Sequence, residues 1–288
     1  LLDIWLGDWD RHDDQWRWAK EEEGDFTTYR PIPRDRDQVF LKVDGIIPWF
    51  VSRKWGARMF QDFDYDIRDI QGLCFNARFF DRTFLTEMDE EDWINMAEEM
   101  KPRLTDEVMK SAFEAWPKEL YDINGDIIID KLKSRRAKLT DFAKEYYSYL
   151  AKEVDVWGTD KRERFIVERL NDQQTKVTVY AVNKKGEEKA KMYERVFKKD
   201  ETKEIRLYGF QGKDEFILTG NTQKGIKVRI IGGQGNDKVE TKISNGKAGK
   251  VLVYDTSEGN EVAWNAGFKN KTTIGNEANV YERKAFTL

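Results

Sequence analysis

The stretch Gly7-Asp8-Trp9-Asp10-Arg11-His12-Asp13-Asp14-Gln15 crowds four carboxylates together directly after a short apolar segment, Leu1 to Leu6. A second charged stretch follows at Pro31-Ile32-Pro33-Arg34-Asp35-Arg36-Asp37-Gln38-Val39-Phe40. Two acidic loops that face one another suit phosphoryl transfer. One Asp orients the attacking hydroxyl, and others hold the Mg²⁺ that neutralises charge on the phosphates. The interleaved Arg11, Arg34 and Arg36 can bind phosphate oxygens through charge-assisted hydrogen bonds. The plainer alternative is a structural ion-pair network, with Asp8, Asp10, Asp35 and Asp37 bridging Arg11, Arg17, Arg34 and Arg36.

The elements around these loops must bring them together. Gln15 to Ala19 alternates in polarity and reads as a strand. Lys20 to Asp25 is a polar turn, and Thr27 to Ile32 returns as a second strand broken by Pro31 and Pro33. The pair reads as a hairpin flanked by the acidic loops. Helical patterns follow. Pro48 to Phe63 predicts a helix with Trp49 and Trp55 on its apolar face. Thr86 to Asp89 predicts a capping box ahead of Trp93. Thr105 caps a helix stopped by Pro117. From about Asp126, the spacing of Ile128, Leu132, Leu139, Phe142, Ala143, Tyr146 and Leu150 predicts one long helix.

The two acidic motifs resemble the catalytic segments of the spore-coat CotH-type kinases and, more loosely, of HipA-type kinases. Asp10-Arg11-His12 is similar to the opening of their Asp-Arg-His-x-x-Asn loop. Asp35-Arg36-Asp37 with Phe40 is similar to their Asp-x-Asp segment and its aromatic residue. The resemblance implies Asp10 as catalytic base, Asp35 as principal metal ligand with Asp37 nearby, and Mg²⁺ or Mn²⁺ with ATP as cofactors. Gln15 stands where those families carry a metal-binding Asn; it offers the same carbonyl on a longer stem. Kinases hold ATP with a glycine-rich loop and a lysine that precede the catalytic loop. Only nine residues precede Asp10 here. The nucleotide lobe is therefore expected outside this chain, in the remainder of a longer parent, and the chain alone is expected to be inactive.

The chain as a whole also resembles a segment of large bacterial envelope proteins that carry a calcineurin-like metallophosphoesterase domain and an outer-membrane barrel. That resemblance implies a periplasmic location in the cell envelope. It also implies an alternative function, a non-catalytic structural or binding segment. None of the phosphoesterase's His-rich metal motifs is present, since His12 is the only histidine.

After Trp157 the periodicity changes from helical to alternating. The expected organisation is α+β: a helical, kinase-like C-lobe fragment over 1–157 and a β-rich domain over 158–288. Phe165-Ile166-Val167, Val177 to Val182 and Met192 to Phe197 read as strands, with Asn183-Lys184-Lys185-Gly186 as a hairpin turn. A repeat then appears. Ile205 to Phe216 aligns with Val228 to Val239 and, with one extra residue, Val251 to Val262. Gly212, Gly235 and Gly259 mark its corners, 23 and 24 residues apart. This period predicts a short β-solenoid, with an antiparallel meander as the alternative. Gly232 to Glu240 fits the calcium-binding nonapeptide of β-rolls. Its neighbouring copies are far apart in sequence, so Asn236 and Asp237 read as a turn rather than a calcium site.

The remaining residues narrow the classes of function. Charge is mixed, 50 basic against 54 acidic residues, with no basic run suited to nucleic acid. No apolar stretch is long enough for a membrane span. One His and one Cys cannot build a structural zinc site. Cys74 reads as a core residue, His12 as an organiser of the acidic loop, and Trp93 and Trp116 as core.

Overall fold

The computed structural model describes residues 1–23, 26–43, 45–222, 224–243, 249–257, 259–264 and 267–274. The chain is α+β and divides into two units. One comprises 1–81 and 89–149; the other comprises 82–88 and 150–288.

The first unit opens with α1 (Leu2–Leu6), closed by Gly7 in the left-handed conformation. The Trp5 indole of α1 donates to the Leu132 carbonyl (2.9 Å), so the element that precedes the acidic loop is fixed to the unit's interior. β1 (Trp16–Glu23) and β2 (Phe26–Pro33) form the expected antiparallel hairpin, with Trp16 opposite Pro33. The helices are α2 (Ile46–Val51), α3 (Ile70–Leu73), α4 (Arg78–Phe84), α5 (Glu90–Met100), α6 (Asp106–Phe113), α7 (Lys118–Ala137) and α8 (Leu139–Leu150). The last residues of α4 belong to the second unit.

Three helical expectations are corrected. The helix predicted over 48–63 is only the six residues of α2. Arg68 takes the Ser52 carbonyl (2.6 Å), the Ala57 amide returns to the Val51 carbonyl (2.8 Å), and Arg58 grips Asp69 in a bidentate pair (2.7 and 2.8 Å). These bonds turn the chain off the helical path. Trp49 and Trp55, expected in the core, are 55% and 65% exposed. The single long helix is two helices broken at Lys138. Arg135, buried at the end of α7, donates to the carbonyls of Asp64 (2.7 Å) and Trp5 (3.3 Å) and anchors the end of α7 there. The capping box lies at Asp89 and Asp92 rather than at Thr86. The Thr86 carbonyl instead accepts from Tyr193 (2.8 Å) and Arg195 (2.6 Å) within the second unit. The Thr105 cap is present, accepting from the Val108 amide (3.2 Å).

The second unit carries β3 (Glu153–Trp157), β4 (Glu163–Arg169), β5 (Gln174–Val182), β6 (Glu188–Lys198), β7 (Glu204–Tyr208), β8 (Gln211–Gly212), β9 (Glu215–Thr219), β10 (Lys227–Ile231), β11 (Gln234–Gly235), β12 (Lys238–Thr241), β13 (Val251–Tyr254), β14 (Glu261–Val262) and β15 (Lys269–Asn270). β3, β7, β10, β13 and β15 pair in parallel, aligning Val154, Ile205, Val228 and Val251. β4, β9, β12 and β14 pair in parallel, aligning Phe165, Phe216, Val239 and Val262. β8 and β11 pair at the corner between, Gly212 beside Gly235. β5 and β6 extend the second sheet as antiparallel strands. Alternating apolar residues of the two parallel stacks share one core.

These pairings revise the sequence reading in two ways. The β unit begins at Leu150, before the boundary expected at Trp157, because β3 pairs with β7. The third repeat keeps the 23-residue register at both Val251 and Val262, so it holds no extra residue. Gly259 therefore lies one position after the equivalent of Gly235; residue 258, the true equivalent, is outside the described residues.

Candidate functional site

The acidic loop begins where Gly7 ends α1. A Cβ at Gly7 would come within 3.0 Å of Arg135 and Phe63, and its φ is +75°, so glycine suits this corner on both counts. Asp8 follows, buried, with Oδ1 accepting the Asp10 amide (3.0 Å) and Oδ2 taking Arg36 (3.2 Å). Burial pushes its carboxyl above the usual carboxylate range; the Asp10 amide pulls the other way. His12 caps a 3-10 turn over Asp13–Gln15, its Nδ1 accepting the Asp14 amide (3.3 Å). That is the loop-organising role expected for it.

Asp10 is the focus of this loop. Its Oδ2 accepts from Gln15 Nε2 and its Oδ1 from Asn76 Nδ2, both at 3.3 Å. His12 Nε2 is 3.7 Å from Oδ2. Gln15 is buried, yet its amide reaches Asp10, so the longer stem folds back onto the carboxylate. The Gln15 backbone carbonyl accepts from the Arg34 backbone amide (2.8 Å), which starts the second motif beside the end of the first. Asn76 was not singled out as a partner in the sequence. It lies in the turn between α3 and α4, and no spacing signal links it to Asp10.

The arginines behave differently from the phosphate contacts expected of them. Arg11 is buried and paired with buried Asp81 (3.2 Å), which also accepts from Tyr146 (2.6 Å). Burial opposes its charge, but Asp81 and the other acidic neighbours raise its pKa well above the ordinary value. Arg36 lies over the Trp16 ring (4.6 Å) and pairs with Asp8 and with Asp3 (3.8 Å). A buried guanidinium held by a buried carboxylate has little left for a phosphate, so Arg11 is structural; Arg36 is half-buried and engaged by Asp8 and Asp3. Arg34 is exposed.

Asp35 and Asp37 are exposed, and no hydrogen bond or ion pair joins either to Asp10 among the described residues. Asp35 has φ of +50°, a left-handed conformation uncommon outside glycine. Among the described residues, no group of three or more His, Cys, Asp or Glu is arranged to hold a metal ion. Cys74 is buried, as expected, and burial drives its thiol up to about 11, so it is inert at neutral pH.

In the second unit, the nonapeptide corner has a different arrangement from the isolated turn expected. Asp237 does bond backbone, but that of the preceding repeat: the Asp214 amide donates to Asp237 Oδ1 (2.8 Å). The copies that are far apart in sequence are neighbours in space, with Gln211 beside Gln234.

No helix among the described residues is long and apolar enough to cross a membrane. Compared with known proteins, the chain matched no family model, no curated protein and no solved structure at a significant level.

Proposed function

We infer that the first unit is the catalytic-loop portion of a kinase-like phosphotransferase, with Asp10 as the carboxylate that orients and deprotonates the acceptor hydroxyl. The observation that carries this reading is the clamping of a partly exposed Asp10 between the Gln15 and Asn76 amides, beside the start of the second acidic motif. Two amide donors fix the carboxylate's direction while leaving it accessible, as a general base requires. Asp35, with Asp37 two residues on, would be the principal metal ligand in this reading, and Mg²⁺ or Mn²⁺ with ATP would complete the site when a nucleotide lobe is supplied by the parent chain. The parallel stacks of the second unit are in this proposal successive coils of a short β-solenoid. A periplasmic location in the cell envelope belongs to the same proposal.

Phosphoryl transfer from MgATP by the longer parent protein tests it. Asp10→Asn should reduce turnover at least about a hundredfold, the scale of general-base assistance, with an unchanged melting temperature. Equal turnover in wild type and variant ends the reading. A second reading, a non-catalytic structural or binding segment, draws on one specific feature. The arginines Arg11 and Arg36 are consumed internally by Asp81, Asp8 and Asp3.

A further inference from the structure

One corner of the second unit holds a column of three acidic residues and an asparagine in register. Glu163, Asp214, Asp237 and Asn260 occupy equivalent places, one residue before the aligned Arg164, Glu215, Lys238 and Glu261. The side chains of Asp214, Asp237 and Asn260 each accept from the residue before them in the column. The Glu163 amide donates to Asp214 Oδ1 (2.8 Å), the Asp214 amide to Asp237 Oδ1 (2.8 Å), and the Asp237 amide to Asn260 Oδ1 (2.6 Å). The ladder thus satisfies one oxygen of each aspartate and leaves the other. Asp214 Oδ2 and Asp237 Oδ2 are buried without a hydrogen-bond donor.

A second column crosses the first. Gly158, Gly209, Gly232 and Asp255 follow the aligned Trp157, Tyr208, Ile231 and Tyr254. Three are glycines, and the fourth is a fully buried carboxylate. A Cβ at Gly232 would overlap both Asp237 Oδ2 and Asp255 Oδ2, so these two oxygens close on one another across the space that glycine leaves open. Asp255 Oδ1 accepts the Thr256 amide (2.7 Å), and its Oδ2 has no donor. At Gly209 the corresponding point lies 2.5 Å from Asp214 Oδ2 and 2.5 Å from the Gly232 carbonyl oxygen.

The charged groups around this corner are engaged elsewhere, and of them Arg162 pulls only the Asp214 carboxyl down. Glu163 faces it from the start of β4 and is held by the Thr159 amide (2.9 Å) and hydroxyl (2.5 Å). Arg162 is paired with Glu215, and Lys238 with Glu240 (2.8 Å). Thr256 and Asn260 are neutral. Two buried carboxylates this close cannot both ionise without a cation between them.

We propose that one proton shared between Asp237 and Asp255 latches the last repeat of the second unit onto the repeat before it, and that its loss to solvent at alkaline pH loosens residues 251–262. Protonated, one acid donates to the other's Oδ2. Deprotonated, two charges face each other in a dry corner. Burial raises both carboxyls, and the Asp237 charge adds to the rise at Asp255. Burial and the nearby Asp237 push Asp214 up to about 9. These folded-state values lie above the ordinary carboxylate value near 4. Each group raised above its unfolded value near 4 makes the folded form bind more protons than the unfolded one, and stability falls as pH rises until the folded group has titrated, which for Asp214 is near pH 9.

Hydrogen exchange by mass spectrometry on the whole 288-residue chain tests the latch. Protection factors, corrected for base-catalysed chemical exchange, are read at 251–254 and at 205–208. Between about pH 6 and about pH 9 the wild-type protection at 251–254 should fall about tenfold or more, with a smaller change at 205–208. Asp255→Asn and, separately, Asp237→Asn supply a neutral donor in place of the shared proton. Each should cut the fall to under about threefold, and the double variant should add nothing further. A flat wild-type profile, or variants that follow the wild type, overturns the proposal. Millimolar calcium that restores wild-type protection at high pH, but not that of the variants, also overturns it by putting a cation in the proton's place.

Discussion

At the scale of the residue, the first unit separates carboxylates that hold structure from one that is presented. Asp81 neutralises Arg11 in a buried pocket and also accepts from Tyr146. Removing one partner of such a pair leaves an uncompensated charge without access to water, which costs about 3–5 kcal/mol. Asp81→Asn should therefore lower the stability of the first unit by about that amount in urea denaturation; a loss below about 0.5 kcal/mol would mean that Arg11 finds another partner or water. Asp10 should behave oppositely. Its two amide bonds are long and it is partly exposed, so Asp10→Asn should leave the melting temperature nearly unchanged while reducing any transfer activity of the parent protein at least about a hundredfold.

At the scale of the element, the parallel stacks derive their stability from columns that no single repeat can bury. Phe165 stacks on Phe216 at 4.7 Å, and Val239 continues the column toward Val262. Each backbone also needs the neighbouring strand as a hydrogen-bond partner, so no repeat should fold alone. Val239→Asp places an unpaired charge in the core and should destabilise the second unit by several kcal/mol, about 3 or more. Circular dichroism during chemical denaturation would measure this, and an unchanged midpoint would show that the column is not packed as described. The glycines of the corner act at the same scale. At Gly235 the φ of +142° and the Gly212 carbonyl within overlap distance of a Cβ leave no place for a side chain, which lets the repeats approach closely.

At the scale of the whole molecule, the chain presents an acidic loop in which Arg11 and Arg36 are already paired with carboxylates. A nucleotide needs cationic or backbone-amide groups to hold its phosphates. Arg11 and Arg36 are occupied, and the sequence before Asp10 contains no glycine-rich loop. Isothermal titration of the 288-residue chain with MgATP should give no heat of binding. Micromolar affinity would mean that the phosphates are held by residues other than those described for the first unit.

The sequence by itself determined whatever depends on local periodicity. The Trp16–Glu23 and Phe26–Pro33 hairpin, the Thr105 cap, the buried Cys74 and the change from helical to alternating pattern were legible because each follows from spacing or a short-range hydrogen bond. The pairing of residues 205–208, 228–231 and 251–254 was legible for a similar reason, since a repeated pattern implies a repeated environment. The tertiary structure decided what depends on distant partners. The break at Lys138 is invisible in an apolar series that runs unbroken through it, because Arg135 is fixed by carbonyls from Trp5 and Asp64. The first member of the stack, β3 with β4, was hidden because the β5–β6 hairpin separates it from the 23-residue repeats. Asn76 joined Asp10 across 66 positions. The Asp237–Asp255 pair crosses two columns of the stack, and only the parallel register brings its buried carboxyl groups together.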